Sequence, residues 1–125
     1  MTENELSYHI RGAIYQVYNA LGPGLLESSY CACLTEVLRE KELDIKTEVP
    51  VPVFWNDKHL GIGYRIDLLV ENKAIIEVKS TDALAEVHHK QVLTYLNLTK
   101  LKLGILVNFN CDNIAQNIFR KVNKL

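Results

Sequence analysis

The sequence predicts an α/β fold: a mixed central sheet, built from an antiparallel three-strand meander plus a parallel strand after a crossover helix, flanked by helices. Three patterns predict it. The chain opens with two segments whose apolar residues recur every three to four positions, continues from Ile45 to Lys79 in alternating runs, and closes with a helical stretch followed by an apolar strand from Lys102 to Phe109. At 125 residues, 48% hydrophobic and 23% charged, residues 1–125 are expected to form a single domain.

Leu6, Ile10, Ala13, Ile14, Val17 and Leu21 mark the first helix, which stops before Gly22-Pro23-Gly24. A second helix is predicted from about Leu25 to Lys41, with Leu26, Tyr30, Leu34, Val37 and Leu38 on its buried stripe. Ile45, Thr47, Val49, Val51 and Val53 then alternate as in a half-buried strand, and Pro50 and Pro52, lacking ladder donors, favour an edge position or a break. Asn56-Asp57-Lys58 reads as a turn, and Leu60–Val70 and Lys73–Lys79 as two further strands. Ala83–Asn97 returns to helical spacing. Lys102–Phe109 has the continuous apolar run of a strand buried on both faces, so strand, helix, strand implies a parallel crossover. In the tail, Ile114, Ile118 and Val122 fit a helix while Ile118, Arg120 and Val122 fit a strand.

The formal net charge of −1 argues against coating nucleic acid by bulk positive charge. That mean hides an asymmetry: residues 1–72 carry 6 Lys/Arg against 11 Asp/Glu, residues 73–125 carry 8 against 4. The first residues are polar and acidic, without the basic start and apolar centre of a secretion signal, and no apolar stretch approaches the ~18 residues of a membrane span. A cytoplasmic location without membrane association is the expectation. Cys31, Cys33 and Cys111 are odd in number and badly spaced for zinc or a disulfide frame, which suits reduced thiols.

The stretch Gly63–Lys79 places charges inside strands that otherwise read as buried. Pairing Val70 with Ala74 across Glu71-Asn72-Lys73 sets Leu68 against Ile76 and Ile66 against Val78, which makes one face apolar and puts Asp67 opposite Glu77. A two-residue loop would mix carboxylates with aliphatics on both faces, at a cost of several kcal/mol per unpaired buried ion. The three-residue loop is therefore predicted. Arg65, Asp67, Glu77 and Lys79 then share a face, and two carboxylates roughly 5 Å apart at Cβ repel unless a cation lies between them. Lys79 or a divalent metal can supply it, since hard oxygen ligands converging from two strands suit Mg²⁺ or Mn²⁺. An exposed ion-pair network of Arg65 and Lys79 with the two acids, worth little energetically, satisfies the residues as well.

An aspartate, a following strand with Glu-Val-Lys, then a helix and a buried strand, all behind an opening helix, resembles the PD-(D/E)XK nuclease superfamily, with Ile66 where its signature has proline. Gly24-Leu-Leu-Glu27-Ser-Ser-Tyr30 is similar to the motif that names the GxxExxY group, and Gln91-Val-Leu-Thr-Tyr95 resembles the Gln-x-x-x-Tyr motif of RecB-type nucleases. His88 and the Leu103–Phe109 segment also look like that group, and the resemblance spans about Ile10 to Phe109. It implies a restriction-endonuclease-like core and a divalent-metal-dependent nuclease, a hydrolase of phosphodiester bonds acting on nucleic acid, with DNA ahead of RNA.

Carried over, the resemblance makes Asp67 and Glu77 the principal ligands of Mg²⁺ or Mn²⁺, joined by the main-chain carbonyl of Val78, with Glu27 approaching from the second helix. Glu27 is in line with Tyr30, Leu34 and Leu38, so it is expected to face inward; stabilising a helix N-terminus, worth ~0.3–1 kcal/mol, is its ordinary alternative. Lys79 would hold the attacking water or the phosphate, or else only pair with Glu77. Gln91 and Tyr95, one helical turn apart, would orient a ligand and touch a phosphate; for Tyr95 core packing is the alternative. His88 is secondary, and Arg65, Lys90, Lys100 and Lys102 could contact the backbone of the substrate. So small a chain is expected to need a homodimer or a partner protein to grip its substrate. The competing function is a non-catalytic module that binds nucleic acid or protein on the same fold.

Overall fold

Thr2 starts the first helix, its hydroxyl accepting the Glu5 N–H at 3.2 Å. In this computed structural model, which describes residues 1–61 and 63–125, α1 (Glu3–Leu21) buries Leu6, Ile10, Ala13, Ile14 and Val17 and ends at Gly22, whose φ of 67° suits glycine. Helix α2 (Glu27–Glu40) starts two residues later than its pattern suggests. Tyr30, Leu34 and Leu38 are buried, but Leu26 precedes the helix and is exposed, which corrects its place on the buried stripe.

The strands are β1 (Ile45–Val51), the short β2 (Phe54–Trp55) and β3 (Lys58–His59), β4 (Tyr64–Val70) and β5 (Ala74–Lys79). After them come α3 (Glu86–Thr99), β6 (Leu103–Asn108), a 3₁₀ turn (Ile114–Asn117) and β7 (Ile118–Val122). The tail thus holds both a helical turn and a strand. Ile62, inside the predicted Leu60–Val70 strand, lies outside the described residues. The main sheet has the order β1-β4-β5-β6-β7, with β5 and β6 parallel and its other pairs antiparallel. Strand β1, carrying Pro50, lies at one edge as predicted, and β2 and β3 form a separate hairpin. Among the described residues no helix is long and apolar enough to cross a membrane.

The predicted register holds from Val70, paired with Ala74, to Leu68, paired with Ile76, but the expected Ile66–Val78 and Asp67–Glu77 rungs are not formed. Glu71 and Asn72 turn the chain at φ 54° and 52°, the hand of the primed turns that match strand twist. The expectation of one continuous apolar face does not hold. Leu68, Val70, Ala74, Ile76 and Val78 pack with α1 and α2, whereas Ile66 joins Val51, Ile75, Tyr95 and Leu96 on the side of α3. The cause is local. Glu48 takes φ 50°, and the β1–β4 pairing passes from Thr47↔Leu68 to Val49↔Ile66 without a Glu48–Asp67 rung. Beyond this break both strands present their apolar side chains to the opposite layer, and Asp67 sits at the changeover.

Gly104 lets α3 approach β6: a Cβ there would lie 2.6 Å from Cγ1 of Val92, itself fully buried. Gly104→Ala is expected to destabilise the protein by about 1–3 kcal/mol through overpacking, read from the urea midpoint. An unchanged midpoint would show that the helix shifts freely.

Candidate active site

Asp67 and Glu77 meet where β4 and β5 stop pairing. Past Leu68↔Ile76, side chains take over from the backbone ladder: Oδ2 of Asp67 accepts the Val78 N–H at 2.8 Å, and Oε1 of Glu77 accepts the Asp67 N–H at 3.1 Å. Glu77 is thus held by the backbone of Asp67, and Asp67 by that of Val78, the neighbour of Glu77. Glu77 is only 3% exposed, and burial, then the Asp67 charge, pushes its carboxyl up to about 8. Burial also raises Asp67, against the lowering effects of the Val78 N–H and Lys79. Burial and the neighbouring Asp67 charge thus favour a proton held on the pair at neutral pH.

Lys79 lowers both carboxyls by its charge, yet among the described residues the one ion pair within 4.0 Å is Lys90–Glu86, exposed on α3 at 3.5 Å. The surface ion-pair network of Arg65 and Lys79 with the two acids is therefore not what forms. The pair is buried, and its repulsion is relieved by a proton and backbone donors.

The carbonyl of Lys79 accepts the Phe109 N–H on the β6 side. Because successive carbonyls point to opposite edges of a strand, the Val78 carbonyl faces the gap toward β4 that holds Asp67. Asp67 also lines a cleft of about 500 Å³ between α2 and β1, together with Glu27, Cys31, Thr35, Thr47 and Glu48.

Glu27 lines that cleft and adds repulsion to Asp67, but it is exposed, correcting the expectation that it faces inward. It is the first residue of α2, one turn beyond the layer in which Tyr30 and Leu34 are buried. Tyr30 explains the preceding loop: its hydroxyl donates to the Gly22 carbonyl and accepts the Leu25 N–H at 3.2 Å, closing a turn in which Gly24 has φ 101°. Its ring stacks on Phe109 at 4.2 Å and 6°. Ser80 next to Lys79 donates to the Leu25 carbonyl at 2.6 Å, tying this loop to the end of β5.

On the opposite face, Nε2 of Gln91 donates to the Tyr95 hydroxyl at 2.9 Å, and the Arg65 backbone N–H lies near enough to lower that phenol. Burial, then the Glu77 charge, raises the Tyr95 phenol. Tyr95 is 2% exposed in the core beside Ile75, which removes it from direct contact with a phosphate and makes it a strut between α3 and β4. Nδ1 of His88 accepts the Ala85 N–H at 3.0 Å and so finishes the start of α3. Arg65 is exposed near Asp67. Lys100 and Lys102 flank the start of β6, at the opposite end of the sheet from Lys79, so they do not join the site.

A model of the PD-(D/E)XK nuclease superfamily matches residues 4–121. The chain belongs to that superfamily. Among solved structures, one described as the crystal structure of SSO0001 is similar over 79% of this chain, at 29% identity and a TM-score of 0.58. The chain spans about half the length of that structure, 51% of it. No curated protein matches it.

Members of the PD-(D/E)XK superfamily are typically nucleases that use divalent metal ions. The residues present fit such an ion. A buried carboxylate pair with no cation in ion-pair range is relieved by one, and its donors are hard oxygens. Among the described residues no group of three His, Cys, Asp or Glu side chains is placed to hold a metal, and the oxygens that converge here are those of the two acids and the Val78 carbonyl.

Three residues of this PD-(D/E)XK site escaped the sequence patterns. Cys31 is half-buried in the cleft, its thiol pushed up to about 12 by burial and then by Asp67, Glu77, Glu27 and Glu48, and so it is a poor nucleophile. Glu48 reaches the cleft only through its unusual backbone, which nothing in the alternation announces. Buried Asn108 accepts the Thr81 N–H at 3.1 Å and donates to its carbonyl at 2.9 Å, holding the chain just after Lys79. A polar residue ending an apolar strand was its available signal.

Proposed function

We propose that this chain is a divalent-metal-dependent nuclease of the GxxExxY group that hydrolyses phosphodiester bonds of DNA, with RNA the second substrate. The observation that carries the reading is the buried Asp67–Glu77 pair, each acid held by a backbone N–H and, among the described residues, with no cation in ion-pair range, in a chain of a nuclease superfamily. Asp67, Glu77 and the Val78 carbonyl would hold Mg²⁺ or Mn²⁺, with Glu27 as an outer carboxylate of the same cleft. When bound, the ion supplies water activation at neutral pH and neutralises charge on the phosphoryl group.

The chain's own groups do the rest. The Val78 N–H fixes Asp67, and the Asp67 N–H fixes Glu77, so neither carboxylate must be ordered when the substrate arrives. Lys79, free of a close ion pair, meets negative charge developing on the phosphate. Gln91 and Tyr95 support the strand that carries Asp67 through the packing of Tyr95 with Tyr64 and Ile66, a positioning role. We take residues 1–125 as one domain acting in the cytoplasm, with a homodimer or partner protein adding the grip that a net charge of −1 does not supply.

Incubation with Mn²⁺ or Mg²⁺ and single- and double-stranded substrates is expected to give cleavage that EDTA stops. Lys79→Met is expected to lower kcat about 10²–10³-fold, as loss of a charge-stabilising donor does. It should leave the rise in Tm on adding Mn²⁺ intact; loss of that rise would make Lys79 structural. Among the described residues no third His, Cys, Asp or Glu side chain is placed to complete a metal-holding group with the pair, which favours a second reading, a non-catalytic binding module. It predicts metal-independent, salt-dependent binding without cleavage.

A further inference from the structure

The hairpin of β2 and β3 buries nothing of its own and displays its rings. Phe54 is 59% and Trp55 70% exposed, and Leu60 and Tyr64 beside them are also exposed. Asn56 and Asp57 close it at φ 49° and 63°, Leu60 N–H bonds the Val53 carbonyl at 3.0 Å, and Phe54 packs edge-on against His59 at 5.2 Å. The turn is of the primed, strand-matching kind, so the rings are carried on a defined ribbon. Four large apolar side chains within eleven residues, left in water, mark an interaction surface.

Its position ties it to the site. The hairpin leaves the main sheet at the Val51↔Tyr64 rung, three residues before Asp67, and because β4 and β5 are antiparallel this is the end at which Lys79 emerges. Tyr64 sits edge-on against Tyr95 at 5.9 Å and lines a second cavity, of about 280 Å³, with Val87, Lys90 and Gln91. Cationic and imidazole groups flank the rings at Lys58, His59 and Arg65.

Duplex DNA hides the faces of its bases and is gripped through phosphates by Lys and Arg, of which a chain of net charge −1 has no overall excess. An unpaired strand exposes those faces, and aromatic side chains stack on them with little need for net positive charge. We infer that the Phe54–His59 hairpin and Tyr64 form a stacking platform for unpaired bases, which makes single-stranded nucleic acid, or a duplex with a splayed single-stranded end, the substrate class. The inference rests on the nuclease reading for the site it feeds.

Trp55 is the chain's one tryptophan, so its fluorescence reports the platform directly. Wild-type protein in EDTA is titrated with oligothymidylate of roughly 16 nucleotides, near the upper site size of single-strand binders, and with a blunt duplex of that length. Saturable quenching by the single strand is expected, with the duplex at least about tenfold weaker. Phe54→Ala should weaken the single-strand affinity about 5- to 150-fold, the range that loss of one base-stacking ring gives. Trp55→Ala, followed by anisotropy of a labelled strand, should do the same.

Equal affinity for the duplex, or binding seen by anisotropy without quenching and unchanged in both variants, overturns the platform. So does quenching that follows protein concentration alone, which would assign the rings to a second copy of the chain. Quenching without any cleavage in Mn²⁺ leaves the platform standing and removes the nuclease reading; cleavage without quenching does the reverse.

Discussion

Glu77→Gln is expected to abolish metal-dependent cleavage, a loss of at least about 10³-fold, and to make the metal-free protein harder to unfold at alkaline pH. Glutamine has the shape of glutamate. Its carbonyl can keep the Asp67 N–H bond, and its amide can donate to the Asp67 carboxylate in place of the proton held on the pair. In the folded wild type Glu77 keeps its proton up to about pH 8, whereas unfolded it releases it near the ordinary value of 4.5. The folded state therefore binds more protons between these values, and wild-type stability falls as pH rises through that window. Below it wild type and variant should melt alike; at pH 8.5 the variant should melt several degrees higher, at roughly 2–8 °C per kcal/mol for domains of this size. Mn²⁺ should reverse the order, because it adds about 2.7 kcal/mol at 100 times its Kd to the protein that binds it. A variant that melts below wild type at pH 8.5 without metal would contradict the strained-pair account.

Tyr30→Ala is expected to cost about 3–5 kcal/mol, a large share of the ~5–15 kcal/mol that holds a typical domain together. The side chain is fully buried, stacks on Phe109, and ties together the loop before α2. Tyr30→Phe keeps the ring and loses only the hydroxyl, worth about 1 kcal/mol. If the hydroxyl's work is to set Glu27 over the cleft, this variant should stay folded and still lose cleavage. Urea unfolding read alongside initial rates separates the two effects. A cost below about 1 kcal/mol for the alanine variant would mean that the layer between α2 and β6 is not packed as described.

The features legible in the sequence were those that a charge or a proline enforces. The β4–β5 register followed from the cost of burying Asp67 and Glu77 among aliphatics, and the edge position of β1 from the missing N–H groups of Pro50 and Pro52. The break at Glu48 was not legible, because alternation assumes a continuous strand and glutamate at φ 50° carries no sequence mark. That break sends Ile66 to the α3 layer and turns Asp67 to the α2 cleft. Glu27 was placed on the correct helical stripe, but a stripe does not tell where the core beneath it ends. Tyr95 satisfied both its functional and its packing pattern, and only its burial and hydroxyl partners decide between them. Phe54 and Trp55 stood beside a recognised turn, where two-residue strands give too short a period to read.

The central claim is that Asp67 and Glu77 form one divalent-cation site. The most direct measurement is anomalous diffraction from a crystal soaked in Mn²⁺ at a pH above 8, where the proton has left the pair. A peak between the two carboxylates, within coordination distance of the Val78 carbonyl and absent from Glu77→Gln crystals, is the predicted result. Density at saturating Mn²⁺ that shows the acids bonded to each other, with no peak between them, would contradict it.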